Sequence, residues 1–121
     1  MKKIIVVDDD EAILAVTSYL LTTNGFTVFT SATGLNVAQM VRMHSPDIVL
    51  LDIRLPGISG IDICKELKNV FNIPVVLFSA HSDRISALQD SAADAFIQKP
   101  FDIKKFISLI NLYATCKLAE V

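Results

Sequence analysis

The sequence has little of what several classes of protein require. Its two cysteines, Cys64 and Cys116, are too few and too far apart for a disulfide framework or a zinc site. It carries no run of basic residues, and its net charge of −2 argues against direct binding of nucleic acid. No apolar run is long enough to span a membrane. The first apolar stretch stops at Asp8 with no cleavage site after it, so we expect a cytoplasmic protein without a signal peptide.

What the sequence does contain is enough apolar residues for a folded core. Its 121 residues are 52% hydrophobic, which excludes a disordered chain and leaves room for one domain. Linkers, internal repeats and low-complexity tracts are absent from the sequence. We therefore expect a single domain over residues 1–121.

Short apolar runs alternate with segments of helical period, which predicts an α/β fold with a parallel sheet and helices on both faces. The predicted strands cover residues 3–8, 26–31, 47–52, 74–79 and 94–98. The predicted helices cover residues 10–23, 34–44, 59–70, 83–92 and 102–115. Gly25 is expected to end the first helix, while Ser59 and Asp102 are expected to cap the third and the last.

Two of the predicted strands end in acid. Asp8 and Asp9 follow the first strand, and Asp52 ends the third. Because ligand sites of parallel sheets lie beyond the carboxyl ends of the strands, these carboxylates would crowd together if the two strands are neighbours. Unit charges about 4 Å apart repel by roughly 4 kcal/mol at an effective dielectric of 20. A retained proton or a bound cation would relieve this repulsion, and Mg²⁺ suits such a carboxylate-rich site.

Two further strand ends carry polar chemistry. Ser79 ends the fourth strand, and Lys99 follows the fifth. A metal-binding carboxylate cluster, a hydroxyl donor and a fixed cation would together stabilise a group with several anionic oxygens. The combination therefore predicts a site for a phosphoryl group.

Over residues 2–115 the sequence resembles the receiver domain of two-component response regulators. The matching pieces are Val-Val-Asp-Asp at 6–9, Leu-Leu-Asp-Ile-Arg-Leu-Pro-Gly at 50–57, Gly60, Ser79-Ala80 and Lys99-Pro100-Phe101. The resemblance implies a flavodoxin-like, doubly wound fold with strand order 2-1-3-4-5 and five helices. It also implies a phosphorylation-controlled signalling switch rather than a turnover enzyme.

The resemblance assigns roles to individual residues. Asp52 would be the phosphoacceptor, and Asp9 and Asp52 would bind Mg²⁺ directly. The backbone carbonyl of Arg54 would be a third metal ligand, and Asp8 would act largely through water. Asp10 is more plausible as a helix cap than as a metal ligand.

The resemblance further implies how the phosphoryl group is held and sensed. Ser79 would hydrogen-bond its oxygens, and Lys99 would pair with it, or with carboxylate before phosphorylation. The Lys99-Pro100 bond would be cis. Phe96 occupies the switch aromatic position, so phosphorylation would draw Ser79 inward and reshape the surface of residues 83–115.

Two features depart from the family pattern. Ala92 stands where family members usually have glycine, so the turn there either avoids positive φ or accepts strain of about 1 kcal/mol. Arg54 and His81 lie two residues beyond Asp52 and Ser79, at positions that flank the phosphoryl group in the family. We hypothesise that these two side chains contact or shield the phosphoryl group and change its lifetime.

Alternative functions fit the sequence less well. A phosphatase of the haloacid dehalogenase type would need a second aspartate at the position of Arg54. A flavin carrier on the same fold would need a Ser/Thr/Gly-rich phosphate loop where four acids follow the first strand. A third alternative is a receiver that takes no phosphate and acts only as a docking module. The complete set of predicted phosphoryl-site residues argues against this alternative.

The expected partners follow from the resemblance. The phosphodonor would be a sensor histidine kinase or a histidine phosphotransfer protein, and the output would pass to a downstream protein or effector domain. We expect no membrane contact, and a monomer that could pair when phosphorylated. The sequence leaves open whether the receiver stands alone or was cut from a longer regulator.

Overall fold

The computed structural model of the chain describes residues 2–79, 92–99 and 101–115. The strands are β1 (Lys3–Val7), β2 (Thr27–Ser31), β3 (Ile48–Asp52), β4 (Arg54–Leu55), β5 (Ile58–Ser59), β6 (Val75–Ser79) and β7 (Ala95–Gln98). The helices in the described part are α1 (Glu11–Thr23), α2 (Val37–His44), α3 (Gly60–Val70) and α4 (Ile103–Thr115). The predicted helix over 83–92 falls almost entirely outside the described residues. None of the described helices is long and apolar enough to cross a membrane.

The main sheet has five parallel strands in the order β2-β1-β3-β6-β7. This is the predicted order 2-1-3-4-5, counted over the long strands. In register, Val7 of β1 lies beside Leu51 of β3, and Asp52 lies beside Phe78 of β6. The carboxyl ends of the central strands therefore meet at one edge, and the predicted doubly wound fold is confirmed.

Two apolar clusters cover the two faces of this sheet. One face, packed by α2 and α3 and here called the α2–α3 face, includes Val7, Leu51, Leu77, Val41 and Leu67. The other, packed by α1 and α4 and called the α1–α4 face, includes Val6, Leu50, Phe78, Leu21 and Phe106. Alternate residues of each central strand enter opposite clusters, as expected of strands buried on both faces.

The helix boundaries have identifiable local causes. Asp10 caps α1 by accepting hydrogen bonds from the backbone N–H groups of Ala12 and Ile13 at 2.9 and 3.3 Å. Gly25, with φ of 93°, follows the end of α1 as predicted. Ser59 caps α3, since its hydroxyl oxygen accepts from Ile61 N at 3.1 Å.

Helix α2 begins three residues later than predicted. The hydroxyl of Ser31 donates to the Thr33 carbonyl at 2.7 Å, and the Leu35 N–H donates to Thr33 Oγ1 at 3.2 Å. Such local bonds give the backbone an alternative to helix, which is why the segment before Val37 forms a turn.

Ala92 has a left-handed backbone conformation, with φ of 61°. Of the two alternatives that the sequence offered, the turn therefore accepts the strain. Replacing Ala92 by glycine should raise the free energy of unfolding by about 0.5–1 kcal/mol, because glycine adopts positive φ without steric cost. Urea unfolding would measure the change. The matched Ala15→Gly change in the exposed middle of α1 should instead lower stability by about 1 kcal/mol, and a decrease at both positions would contradict the strain at Ala92.

Candidate functional site

Three carboxylates meet at the carboxyl edge of the sheet. Asp8, Asp9 and Asp52 each place one oxygen within 4.8 Å of those of the other two. Asp8 and Asp52 are buried, with 0% and 6% of their surface exposed, whereas Asp9 is exposed. The neighbouring positions of β1 and β3 bring these residues together, as the sequence predicted.

Asp8 is held on both of its carboxylate oxygens. Lys99 Nζ donates to Oδ2 at 2.8 Å, and the Asp10 N–H donates to Oδ1 at 2.9 Å. The Asp8 N–H in turn donates to the Ser31 carbonyl of β2 at 3.1 Å. Asp8 is thus a buried side chain with both oxygens fixed, and its position orients the lysine side chain.

Asp52 shares the same lysine, with 3.5 Å between Lys99 Nζ and Asp52 Oδ2. Burial raises the pKa of the Asp52 carboxyl from 3.8 to about 6, the Lys99 ammonium opposes this rise, and the nearby charge of Asp8 adds to it. Asp52 is therefore mostly ionised at neutral pH, but its charge is poorly compensated.

The segment after Asp52 forms a small hairpin that the sequence patterns did not predict. Strands β4 and β5 pair antiparallel, with Arg54 opposite Ser59 and Leu55 opposite Ile58. Gly57 has φ of 79°, the value that the third residue of a type II turn requires, and a proline precedes it. The Pro-Gly pair between two apolar residues was the signal for this turn.

This hairpin returns the chain to Asp52 at Gly60. The Gly60 N–H donates to the Ile53 carbonyl at 2.7 Å. A Cβ at Gly60 would overlap the Asp52 carbonyl oxygen and press on Ile53 Cα. The absent side chain thus lets the start of α3 pack against the backbone that carries Asp52 and Arg54.

Ser79 and Lys99 lie at the same edge. Ser79 is buried at the end of β6, and its carbonyl accepts a hydrogen bond from the Lys99 N–H at 2.9 Å. The structure therefore brings together Asp8, Asp9, Asp52, Ser79 and Lys99.

The other predicted residues are more peripheral. Arg54 is exposed on β4. Phe96 is half-buried and packs on the α2–α3 face of the sheet, whereas its neighbour Ile97 belongs to the α1–α4 face. His81 and Pro100, and with them the cis bond and the histidine hypothesis, lie outside the described residues.

A hard divalent cation fits this cluster of oxygens. Three carboxylates converge there, while the ammonium of Lys99 pairs with only two of them. The rise in the pKa of Asp52 shows that a buried negative charge remains incompletely compensated. Oxygen ligands around a partly open site are what Mg²⁺ binds in proteins.

Comparison with known proteins agrees with this geometry. Residues 4–111 match the family described as response regulator receiver domain. The transcriptional regulatory protein KdpE of Mycobacterium tuberculosis is 37% identical over 114 residues, covering 92% of this chain and 50% of KdpE. The DNA-binding response regulator MtrA of Mycobacterium leprae is 34% identical over 112 residues, covering 91% of this chain and 50% of MtrA. The chain thus spans about half the length of the curated relatives it matches.

Two solved structures are also similar. The BeF3-activated N-terminal receiver domain of Klebsiella pneumoniae RstA superposes with a TM-score of 0.89 and 27% identity, covering 95% of this chain and 100% of that one. TrrA from Thermotoga maritima, in complex with Mg²⁺-BeF, gives a TM-score of 0.86 and 30% identity, covering 93% and 99%. The predicted family and cofactor are thereby confirmed. The chain belongs to the receiver domains of response regulators, which are Mg²⁺-dependent phosphoacceptor switches rather than turnover enzymes.

Proposed function

We propose that Asp52 is the phosphoacceptor of this receiver. The observation that carries the proposal is that Lys99 pairs with two carboxylates, Asp8 and Asp52, which differ in their exposure and in how many of their oxygens are already bonded. Asp8 is wholly buried and has both oxygens engaged, by Lys99 and by the Asp10 N–H. Asp52 retains some exposure and lies 3.5 Å from the same ammonium. Of the two, Asp52 is the carboxylate that an incoming phosphoryl group can reach.

The reaction would be nucleophilic substitution at phosphorus. A carboxylate oxygen of Asp52 attacks the phosphorus of a phosphohistidine, the P–N bond breaks, and the imidazole nitrogen keeps the electron pair. Because the pKa of Asp52 is about 6, the nucleophile is mostly ionised at neutral pH. Lys99, already beside Asp52, would pair with an oxygen of the transferred group, and the Ser79 hydroxyl would donate to another.

Asp9, Asp52 and the Arg54 carbonyl would hold the metal ion directly, and Asp8 would act through water. When bound, Mg²⁺ supplies positive charge that offsets the charge on the phosphoryl oxygens. The type II turn of the hairpin, closed by the pairing of Leu55 with Ile58, would fix the Arg54 carbonyl.

Intact-mass spectrometry after incubation with acetyl phosphate would test the acceptor. The unaltered protein should gain one phosphoryl mass with Mg²⁺ and none without it, and Asp52→Asn should gain none. Asp62→Asn, which removes an exposed carboxylate of α3, is the matched control and should behave as the unaltered protein. A gain that persists in Asp52→Asn would place the acceptor elsewhere. No gain in a folded protein would favour a docking module that works without phosphate.

We propose that the phosphodonor is a sensor histidine kinase or a histidine phosphotransfer protein. By family precedent the donor would dock on α1 and the loop after Lys99, and the exposed Ala12 and Val16 offer it apolar contact.

Ser79 and Phe96 would relay phosphorylation to the surface of residues 83–115, where a downstream protein, an effector domain or a second receiver would bind. KdpE is a transcriptional regulatory protein and MtrA is a DNA-binding response regulator, and an output of that kind would need the half of those proteins that this chain does not cover.

Arg54 and His81 are proposed to set the lifetime of the phosphoryl group. Arg54 is exposed on the hairpin that follows Asp52, two residues beyond the proposed acceptor. We expect Arg54→Ala and His81→Ala to change the rate of dephosphorylation, measured by loss of the phosphoryl mass after removal of acetyl phosphate. Unchanged dephosphorylation rates in both variants would contradict a role for these side chains in the lifetime of the phosphoryl group.

A further inference from the structure

Lys99 has a third neighbour besides its two carboxylates. Its Nζ lies 4.3 Å from the centroid of the Phe78 ring, over the ring face. The Phe78 side chain is fully buried. A cation over an aromatic face is attracted by the electron density of that face, and the attraction strengthens where water is excluded.

The strand order explains why the lysine meets this ring. Lys99 follows β7, whereas Asp52 ends β3, and β6 lies between these two strands. Phe78 sits on β6 in register with Asp52 on one side and Ile97 on the other. Neighbouring strands are about 4.8 Å apart, so a side chain from β7 must cross β6 to reach β3.

All of these side chains share one face of the sheet. Phe78 belongs to the cluster of the α1–α4 face, as do Val6, Leu50 and Ile97. Asp8, Asp52 and Lys99 each lie two residues beyond one of these three, and alternation along a strand keeps them on the same side. The lysine side chain therefore packs across the Phe78 ring on its way from β7 to Asp52.

We propose that Phe78 is a positioning residue for phosphoryl transfer, which holds the Lys99 ammonium beside Asp52 through a cation–π contact. The proposal rests on Asp52 as phosphoacceptor. The two carboxylate partners of Lys99 change their charge or their ligands when metal binds and when Asp52 is phosphorylated, whereas the ring does not. An aliphatic residue of similar volume would fill the same space but would not attract the ammonium. The lysine would then spend less time where the phosphoryl oxygens arrive.

The test is a fluorinated series at this position. Site-specific replacement of Phe78 by mono- and then trifluorinated phenylalanine withdraws electron density from the ring face at nearly constant size. The rate of phosphorylation by acetyl phosphate with Mg²⁺ should fall step by step, about tenfold in total. The same series at Phe26, equally buried in the same cluster but next to the start of β2, should change the rate less than about twofold.

A spectroscopic measurement checks the contact itself. Protons on the carbon next to Lys99 Nζ should be shifted upfield by the ring current, and Phe78→Leu should abolish that shift. A flat rate across the Phe78 series, or an equal fall in the Phe26 series, would overturn the proposal while leaving Asp52 as acceptor. If the unaltered protein takes no phosphoryl group at all, the proposed function fails first.

Discussion

Replacing Asp52 by asparagine is expected to raise the free energy of unfolding of the metal-free protein at pH 8, by up to roughly 3 kcal/mol. Burial raises the pKa of this carboxyl from 3.8 to about 6 in the folded protein. One unit of pKa corresponds to about 1.36 kcal/mol, so the charged form costs the fold about that amount per unit. Asparagine keeps the shape and removes the charge, while Lys99 keeps its bond to Asp8 at 2.8 Å.

The effect of pH on stability follows from the difference between the folded and unfolded pKa values of Asp52. The folded pKa lies above the unfolded one, so the folded state binds the proton more tightly, and Asp52 makes the protein less stable as pH rises from about 4 to about 6. Above that window the full cost is present, and below it the cost disappears. The advantage of Asp52→Asn should therefore be largest at pH 7–8 and shrink towards pH 4, as measured by urea unfolding in the presence of a chelator.

Mg²⁺ should reverse the order of stability of the unaltered protein and Asp52→Asn, because a cation among the carboxylates compensates the charge of Asp52. Saturating Mg²⁺ is expected to stabilise the unaltered protein more than Asp52→Asn at pH 8. Asp62→Asn, on the exposed side of α3, controls for the loss of one negative charge and should show little advantage at any pH. An advantage of Asp52→Asn that is equal at pH 4 and pH 8 would show that packing, rather than charge, causes it.

The site could be predicted from the sequence because its parts are strand ends. Asp8, Asp52 and Ser79 each end or follow an apolar run, and parallel strands bring such ends to one edge. The resemblance implied that Lys99 pairs with carboxylate before phosphorylation, but the sequence did not say which carboxylate lies nearest to it. Lys99 and Asp8 are 91 positions apart, and their 2.8 Å bond depends on the register of four strands.

Local backbone strain and close packing were harder to predict from the sequence. Ala92 left two backbone conformations open, and the φ of 61° shows that tertiary structure imposes the less favourable one. The hairpin of β4 and β5 is only two residues on each side, too short for a periodic pattern to reveal. The contact of Lys99 with Phe78 needs the register of β6 with β7, which sequence spacing does not give.

Gly60→Ala is expected to lower the free energy of unfolding by about 3 kcal/mol or more. Gly60 is the first residue of α3, and a Cβ there would overlap the Asp52 carbonyl oxygen. The obstructing atoms are backbone, so no side-chain rotation can relieve the overlap, and overpacking of this kind typically costs about 1–3 kcal/mol or more. The Gly60 N–H bond to the Ile53 carbonyl, at 2.7 Å, would have to lengthen.

Helix propensity alone predicts the opposite sign, since alanine in a helix is favoured over glycine by about 1 kcal/mol. The direction of the change in urea unfolding therefore decides between close packing and propensity. Gly25→Ala is the control, because Gly25 has positive φ of 93° but a Cβ there would meet no atom within 4 Å, so this variant should lose only about 1 kcal/mol. Stabilisation by Gly60→Ala would contradict the close approach. A loss clearly larger at Gly60 than at Gly25 would instead mean that the start of α3 fixes the backbone carrying Asp52, so Gly60→Ala should also be phosphorylated more slowly.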